Sequence, residues 1–106
     1  MSLSVTLKEN GEEVYWANIT HNLSTMAQEA GIYEELWSPN GINAIYASDI
    51  IAPLTEGLIK MALDPEYYEK FNSPNGWGMY CNFLPWIAKY IKACSDHPDA
   101  LIEVSV

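Results

Sequence analysis

The chain has 106 residues, enough to bury one modest core and too few for two, so residues 1–106 are expected to form a single domain. Its composition, 49% hydrophobic and 18% charged, is that of a globular protein and excludes a disordered one. Five Lys, no Arg and fourteen acidic residues give a net charge of −9, which argues against nucleic acid as a partner and against phosphorylated substrates.

The sequence carries no marks of export or membrane insertion. No apolar run approaches the roughly 20 residues that span a bilayer, and the first residues lack the basic and apolar stretches of a signal peptide. Cys81 and Cys94 lie on one predicted helix about 20 Å apart along its axis, which is beyond disulfide reach. Two free thiols fit a reducing compartment, so we expect a cytoplasmic protein without a membrane partner.

The first predicted element is a β-hairpin. Asn10 and Gly11 are the preferred pair for a two-residue type I′ turn, in which both positions need a positive φ. Such a turn fixes the register of the two strands and gives the hairpin one apolar face. The pairs that follow from it are Leu7–Val14 and Val5–Trp16 on the apolar face, and Lys8–Glu13 and Thr6–Tyr15 on the other.

Helical periodicity and turn residues predict the rest of the chain. Pro53 and Pro85 fall inside two of the helices and predict a kink or late start in one and a bend in the other. The predicted elements are a helix capped by Asn18 or Thr20 and running to about Ala30, a short helical turn from Ile32 to Trp37, a long helix after Ser48, a short helix from Asp64 through Phe71, a helix from Met79 to Cys94 and a strand from Leu101 to Val106.

These elements predict an α+β fold in the order β-β-α-α-α-α-β. A lone C-terminal strand needs a partner, and the N-terminal hairpin supplies the only other strands. We therefore expect the hairpin and the C-terminal strand to form one small sheet, covered on one face by three to four helices.

One segment is repeated. Residues 33–41 and 68–76 both begin with Tyr-Glu and end in Ser-Pro-Asn-Gly, and each copy closes a predicted helical segment. Pro suits the second position of a type I turn, Asn tolerates the third and Gly follows, so both copies predict the same turn. Reuse of favourable turn chemistry explains this repeat, and an ancient duplication is the alternative.

Two groups of residues are candidates for a binding site. Winding the first predicted helix places His21 on a polar face with Asn18, beside Asn22, where it could hold a ligand or act as a general base; the alternative is a solvated helix face. Trp37 and Trp77 flank the two Ser-Pro-Asn-Gly turns, and Tyr80 lies close to the second. These aromatic residues either form an exposed contact surface or plug the core beneath the turns.

Metal ligands and catalytic groups are not evident. The two His and two Cys have no ligand spacing, and nothing places a nucleophile beside His21. We therefore expect no metal, no cofactor and no catalytic residue.

Several strings resemble a family of short proteins encoded by phages and prophages of bacteria. They are Val14 to Leu23, Met26-Ala27, Glu29 to Tyr33, Phe71 to Gly78 and Ile102 to Ser105. The resemblance implies a phage or mobile-element setting in a bacterial cytoplasm. It carries over no catalytic or binding residues.

Three functional hypotheses remain. The leading one is a non-enzymatic phage or prophage accessory protein that binds a protein partner, with a homodimer as one arrangement, through exposed aromatic residues. The second is an acidic nucleic-acid mimic that inhibits a DNA-binding protein. The third is a small ligand-binding protein or enzyme that uses Asn18, His21 and Asn22.

Overall fold

The computed structural model describes all residues from Met1 to Val106 and confirms the α+β class. Three antiparallel strands form one sheet, and five α-helices are present where three to four were expected. None of the helices is long and apolar enough to cross a lipid bilayer. The elements are β1 (Ser2–Glu9), β2 (Glu12–Thr20), α1 (Ser24–Ala30), α2 (Tyr33–Trp37), α3 (Ser48–Leu63), α4 (Pro65–Glu69), α5 (Tyr80–Asp96) and β3 (Leu101–Ser105).

The sheet has the order β2-β1-β3, so the N-terminal strand is central and the C-terminal strand pairs with it. The predicted partnership between the two chain ends is therefore confirmed. Alternate residues of β1 face the helices, and their side chains are fully buried: Leu3, Val5 and Leu7. This face of the sheet is the floor of the hydrophobic core.

The hairpin turn forms as its chemistry predicts. Asn10 has φ 53° and Gly11 has φ 82°, so both central residues adopt the left-handed conformation of a type I′ turn. Lys8 lies opposite Glu13, also as predicted. Turn chemistry thus determines the first pairs of the hairpin.

Beyond these pairs the predicted register is wrong because a β-bulge inserts one extra residue in β2. Leu7 lies opposite Tyr15 instead of Val14. Since one residue of slip exchanges the two faces of a strand, Tyr15 turns inward and Trp16 outward. The ring of Tyr15 then stacks on Tyr90 of α5, with ring centroids 5.9 Å apart.

The first predicted helix begins later than the sequence suggests. β2 continues through Thr20, so Asn18 belongs to a strand, and Thr20 is the residue that caps the turn by accepting a hydrogen bond from the Asn22 backbone N–H at 3.2 Å. A 3₁₀ turn at His21–Leu23 then leads into α1. The predicted placement of Asn18 and His21 on one helix face is therefore wrong.

The two long helices, α3 and α5, pack against each other over the sheet. Gly57 of α3 leaves room for Ile32, because a Cβ at this position would overlap the Cγ2 of that side chain. In α5 the predicted buried stripe is only partly right: Ile87 and Cys94 are buried, whereas Tyr80, Leu84 and Ile91 are half-buried. Compared with the prediction, α5 is rotated about its axis, so that Phe83, Tyr90 and Ala93 are also buried.

Both Ser-Pro-Asn-Gly segments form the predicted turn. The Gly41 N–H donates to the Ser38 carbonyl at 3.0 Å, and the Gly76 N–H donates to the Ser73 carbonyl at 3.1 Å. The copies then diverge, because the first continues as a 3₁₀ helix over Pro39–Ile42, while Gly76 takes a positive φ of 80°. The same turn sequence is thus followed by two different backbone conformations.

Candidate functional site

A groove of about 890 Å³ lies where the end of β2 meets the loop before α5. We call it the Trp77 groove. It is lined by the first two residues, residues 18–23, residues 75–79, Asn82 and Trp86. Its size is within the range of ligand-binding clefts, about 300–1,000 Å³.

The side chains of this groove are uncharged although the protein has a net charge of −9. No Asp, Glu or Lys lines it. The polar side chains are mostly amides, and two indoles accompany them. These residues are Asn18, Asn22, Asn75, Asn82, Trp77 and Trp86. Such a surface suits an uncharged ligand with hydrogen-bonding groups and an apolar part.

Trp77 lies in a loop, residues 73–78, that is held together by its own hydrogen bonds. The Asn75 Oδ1 accepts hydrogen bonds from the Ser73 hydroxyl at 2.6 Å and from the Trp77 backbone N–H at 2.9 Å. The Ser73 N–H donates to the Gly78 carbonyl at 3.1 Å. The Trp77 side chain remains 70% exposed on this rigid support.

The same loop is fixed to the turn after β2 by Asn22. The Asn22 Nδ2 donates to the Trp77 carbonyl at 2.7 Å. Gly78 approaches Asn22 so closely that a Cβ at Gly78 would lie 2.8 Å from the Asn22 Cβ, and its φ of 112° also favours glycine. Both polar main-chain atoms of Trp77 are therefore bonded to asparagine side chains.

His21 lines the groove, and its ring is bonded to the core. The Trp37 Nε1–H donates to the His21 Nδ1 at 2.8 Å. Because an indole N–H can only donate, Nδ1 must be the acceptor, and the neutral imidazole carries its proton on Nε2. The His21 Nε2 is buried and has no hydrogen-bond partner in the protein. In this state neither ring nitrogen has a free lone pair for a general base.

Asn18 and Trp86 close one edge of the groove. The Asn18 Nδ2 donates to the Ser2 and Ser4 hydroxyls, each at 3.0 Å. The Asn18 carbonyl, at the free edge of β2, accepts a hydrogen bond from the Trp86 Nε1–H at 3.0 Å. Trp86 thus covers the point at which another strand would pair with the sheet.

Four of the six predicted binding residues line this groove, and two do not. Trp37 is 6% exposed and lies in the core beneath His21, so it is not part of an exposed contact surface. Tyr80 is half-buried, and its hydroxyl donates to the Met61 carbonyl at 2.7 Å. The four that come together are Asn18, His21, Asn22 and Trp77.

Of the six amide and indole side chains that line the groove, sequence reasoning missed three. Asn75 was visible only as a turn residue of the repeat. Asn82 and Trp86 lie four positions apart on α5 and therefore share one helix face, which was a usable signal. That this face meets the end of β2 depends on tertiary packing.

Outside the groove, burial accounts for the largest pKa shifts. It raises the pKa of the Tyr90 hydroxyl far above its ordinary value and that of the Cys94 thiol to about 12. No three His, Cys, Asp or Glu side chains converge as metal ligands would. Comparison with protein-family models, curated proteins and solved structures finds no match for this chain.

Proposed function

We propose that the protein is a non-enzymatic binding protein that holds an uncharged segment of a partner protein in the Trp77 groove. The observation that carries this proposal is an indole that is 70% exposed although its main chain is fixed at both polar atoms. Large aromatic side chains on rigid supports supply contact area at a low entropic cost, which is why they are enriched in protein interfaces.

Charge limits what the groove can accept. Its lining has no Asp, Glu or Lys, whereas the protein as a whole has a net charge of −9. The groove offers no charged side chain to pair with a charge on the partner, which favours an uncharged segment, and basic residues on either side of it are attracted to the acidic protein. The proposed partner is a protein with an uncharged segment inside a basic surface.

Binding is favoured over catalysis by the state of His21. Its Nδ1 accepts the Trp37 Nε1–H, so the lone pair that a general base needs is already used. Neither cysteine lines the groove, which leaves the imidazole without a thiol nucleophile.

The biological setting is part of the same proposal. Sequence resemblance supports a phage or prophage accessory protein in a bacterial cytoplasm. A second copy of the chain is one partner to consider, and the others are proteins of the phage or its host.

A peptide selection tests the proposed site. Random heptapeptides displayed on a carrier are selected on the wild-type protein, and the affinity of the enriched peptides is measured against Trp77→Ala and Trp16→Ala. Trp16 is the matched control, because it is also exposed, at 54%, but lies on the outer face of the sheet. We expect Trp77→Ala to weaken binding about tenfold or more, as central interface tryptophans do, and Trp16→Ala to leave it unchanged.

Two results would contradict the proposal. One is a selection that enriches no peptide. The other is a set of peptides that bind Trp77→Ala as tightly as the wild type, which would place the contact surface elsewhere.

A further inference from the structure

The orientation of two amide groups in the Trp77 groove is determined by the main chain of Trp77. A backbone carbonyl can only accept a hydrogen bond, so the Asn22 atom 2.7 Å from the Trp77 carbonyl is Nδ2. A backbone N–H can only donate, so the Asn75 atom 2.9 Å from the Trp77 nitrogen is Oδ1. Neither side chain can flip without losing its bond.

Each amide therefore keeps its other atom free of protein partners. Asn22 offers Oδ1, a hydrogen-bond acceptor, and Asn75 offers Nδ2, a donor. Both side chains belong to exposed residues that line the groove. Both amides are bonded to the Trp77 main chain, so the free acceptor and the free donor lie next to the same residue.

We propose that these two atoms recognise one peptide unit of an extended segment, which deepens the proposed function and rests on it. The peptide N–H donates to the Asn22 Oδ1, and the peptide carbonyl accepts from the Asn75 Nδ2. A neighbouring apolar side chain of the segment lies against the Trp77 indole. Because the loop is already ordered, binding loses little conformational entropy on the protein side.

Recognition by side-chain amides is favoured over addition of a strand to the sheet. Strand addition needs free main-chain groups along an edge. At the edge of β2 nearest the groove, the Asn18 carbonyl already accepts the Trp86 Nε1–H. The segment therefore crosses the groove without continuing the sheet.

Asn75→Asp tests the donor without disturbing the loop. Aspartate keeps the oxygen that accepts from Ser73 and Trp77, but it replaces Nδ2 with a second oxygen. The matched control is Asn40→Asp, which makes the same change at the same position of the first Ser-Pro-Asn-Gly turn and adds the same charge away from the groove.

The probe is acetyl-Ala-Leu-Ala-N-methylamide, titrated by NMR against the wild type and both variants. A second probe replaces the Leu N–H with an ester oxygen, which removes that donor and also makes the carbonyl of the same unit a weaker acceptor. We expect Asn75→Asp to weaken binding of the amide probe about tenfold, through the loss of one hydrogen bond, and Asn40→Asp to have no effect. The ester should bind the wild type about tenfold more weakly than the amide.

The inference is overturned if the amide probe does not bind, if Asn75→Asp binds it as tightly as Asn40→Asp does, or if the ester matches the amide. It is also overturned if tri-N-acetylchitotriose binds more tightly than the peptide, since the recognised amide would then belong to a sugar. The selected heptapeptides distinguish failure of this inference from failure of the proposed function. If they lose affinity for Trp77→Ala but not for Asn75→Asp, the proposed function stands and this inference fails; if they lose affinity for neither, both fail.

Discussion

The hydrogen bond between Trp37 and His21 joins the core to the wall of the groove. The Trp37 side chain is 6% exposed, and its Nε1–H has the His21 Nδ1 as its acceptor at 2.8 Å. A buried donor that loses its acceptor retains its full desolvation cost. The pair therefore matters for stability as well as for the position of the groove.

His21→Ala should lower the free energy of unfolding by about 1–3 kcal/mol, because it leaves the Trp37 N–H without a partner. His21→Asn is the control, since its amide oxygen can take the place of the Nδ1 acceptor. We expect this variant to recover most of the loss. Urea unfolding followed by tryptophan fluorescence measures both, and equal stability of the two variants would show that the hydrogen bond contributes nothing.

The two cysteines should differ in reactivity. Cys81 is exposed, whereas Cys94 is buried and burial raises the pKa of its thiol to about 12. Because the thiolate is the reactive form, Cys94 stays protonated and shielded at pH near 8. Titration with a chromogenic disulfide should consume one equivalent in the native protein and two in denaturant. Cys81→Ser should react only after unfolding, and fast reaction of that variant in the native state would show that the core is open at α5.

At the scale of elements, the start of α3 depends on a carboxylate. The Asp49 Oδ2 accepts hydrogen bonds from the Ile45 N–H at 3.0 Å and the Tyr46 N–H at 2.9 Å. The bond from Tyr46, and then that from Ile45, lowers the pKa of Asp49 below its ordinary value. These bonds hold the segment before α3, where Tyr46 also bridges to Leu101 of β3.

The stability of the fold should therefore depend on pH through Asp49. A carboxyl group whose pKa is lower in the folded state contributes stability above its unfolded pKa and loses it as the pH falls through the folded value. We expect thermal unfolding temperatures to decline below about pH 4, and Asp49→Asn to decline less steeply because it cannot be protonated. Parallel curves for the two proteins would contradict this assignment.

Local chemistry made most of the elements predictable. The Asn10-Gly11 turn and the terminal β3 strand follow from residue preferences and alternation, which act over a few positions. The bulge at Val14 and the rotation of α5 do not follow from such local preferences. Both place Tyr15 against Tyr90, a contact between residues far apart in sequence.

At the scale of the whole molecule, the groove combines three distant parts of the chain. Asn18, His21 and Asn22 could be proposed from sequence because they lie close together and are polar. Their neighbours could not, because Asn22 meets Trp77 across 55 positions and Asn18 meets Trp86 across 68. Such contacts depend on how the loop and α5 pack onto the sheet, and no local pattern encodes them.

The effect of the net charge on binding also depends on where the charged side chains lie in the folded protein. A net charge of −9 is compatible with an acidic mimic of nucleic acid, but the largest concavity is lined by uncharged side chains. None of the fourteen acidic side chains lines the groove. Long-range attraction of a basic partner and short-range recognition of an uncharged segment are then separate contributions.

The most direct test of the Trp77 groove is a single ¹H–¹⁵N spectrum of the four indole N–H groups, recorded while a selected heptapeptide is added. Trp37 and Trp86 donate to protein acceptors, while Trp16 and Trp77 are exposed at 54% and 70%. We expect the Trp77 signal to shift most and the Trp16 signal to stay in place. A shift of Trp16 with Trp77 unmoved would show that the peptide binds the outer face of the sheet and that the groove is not the binding site.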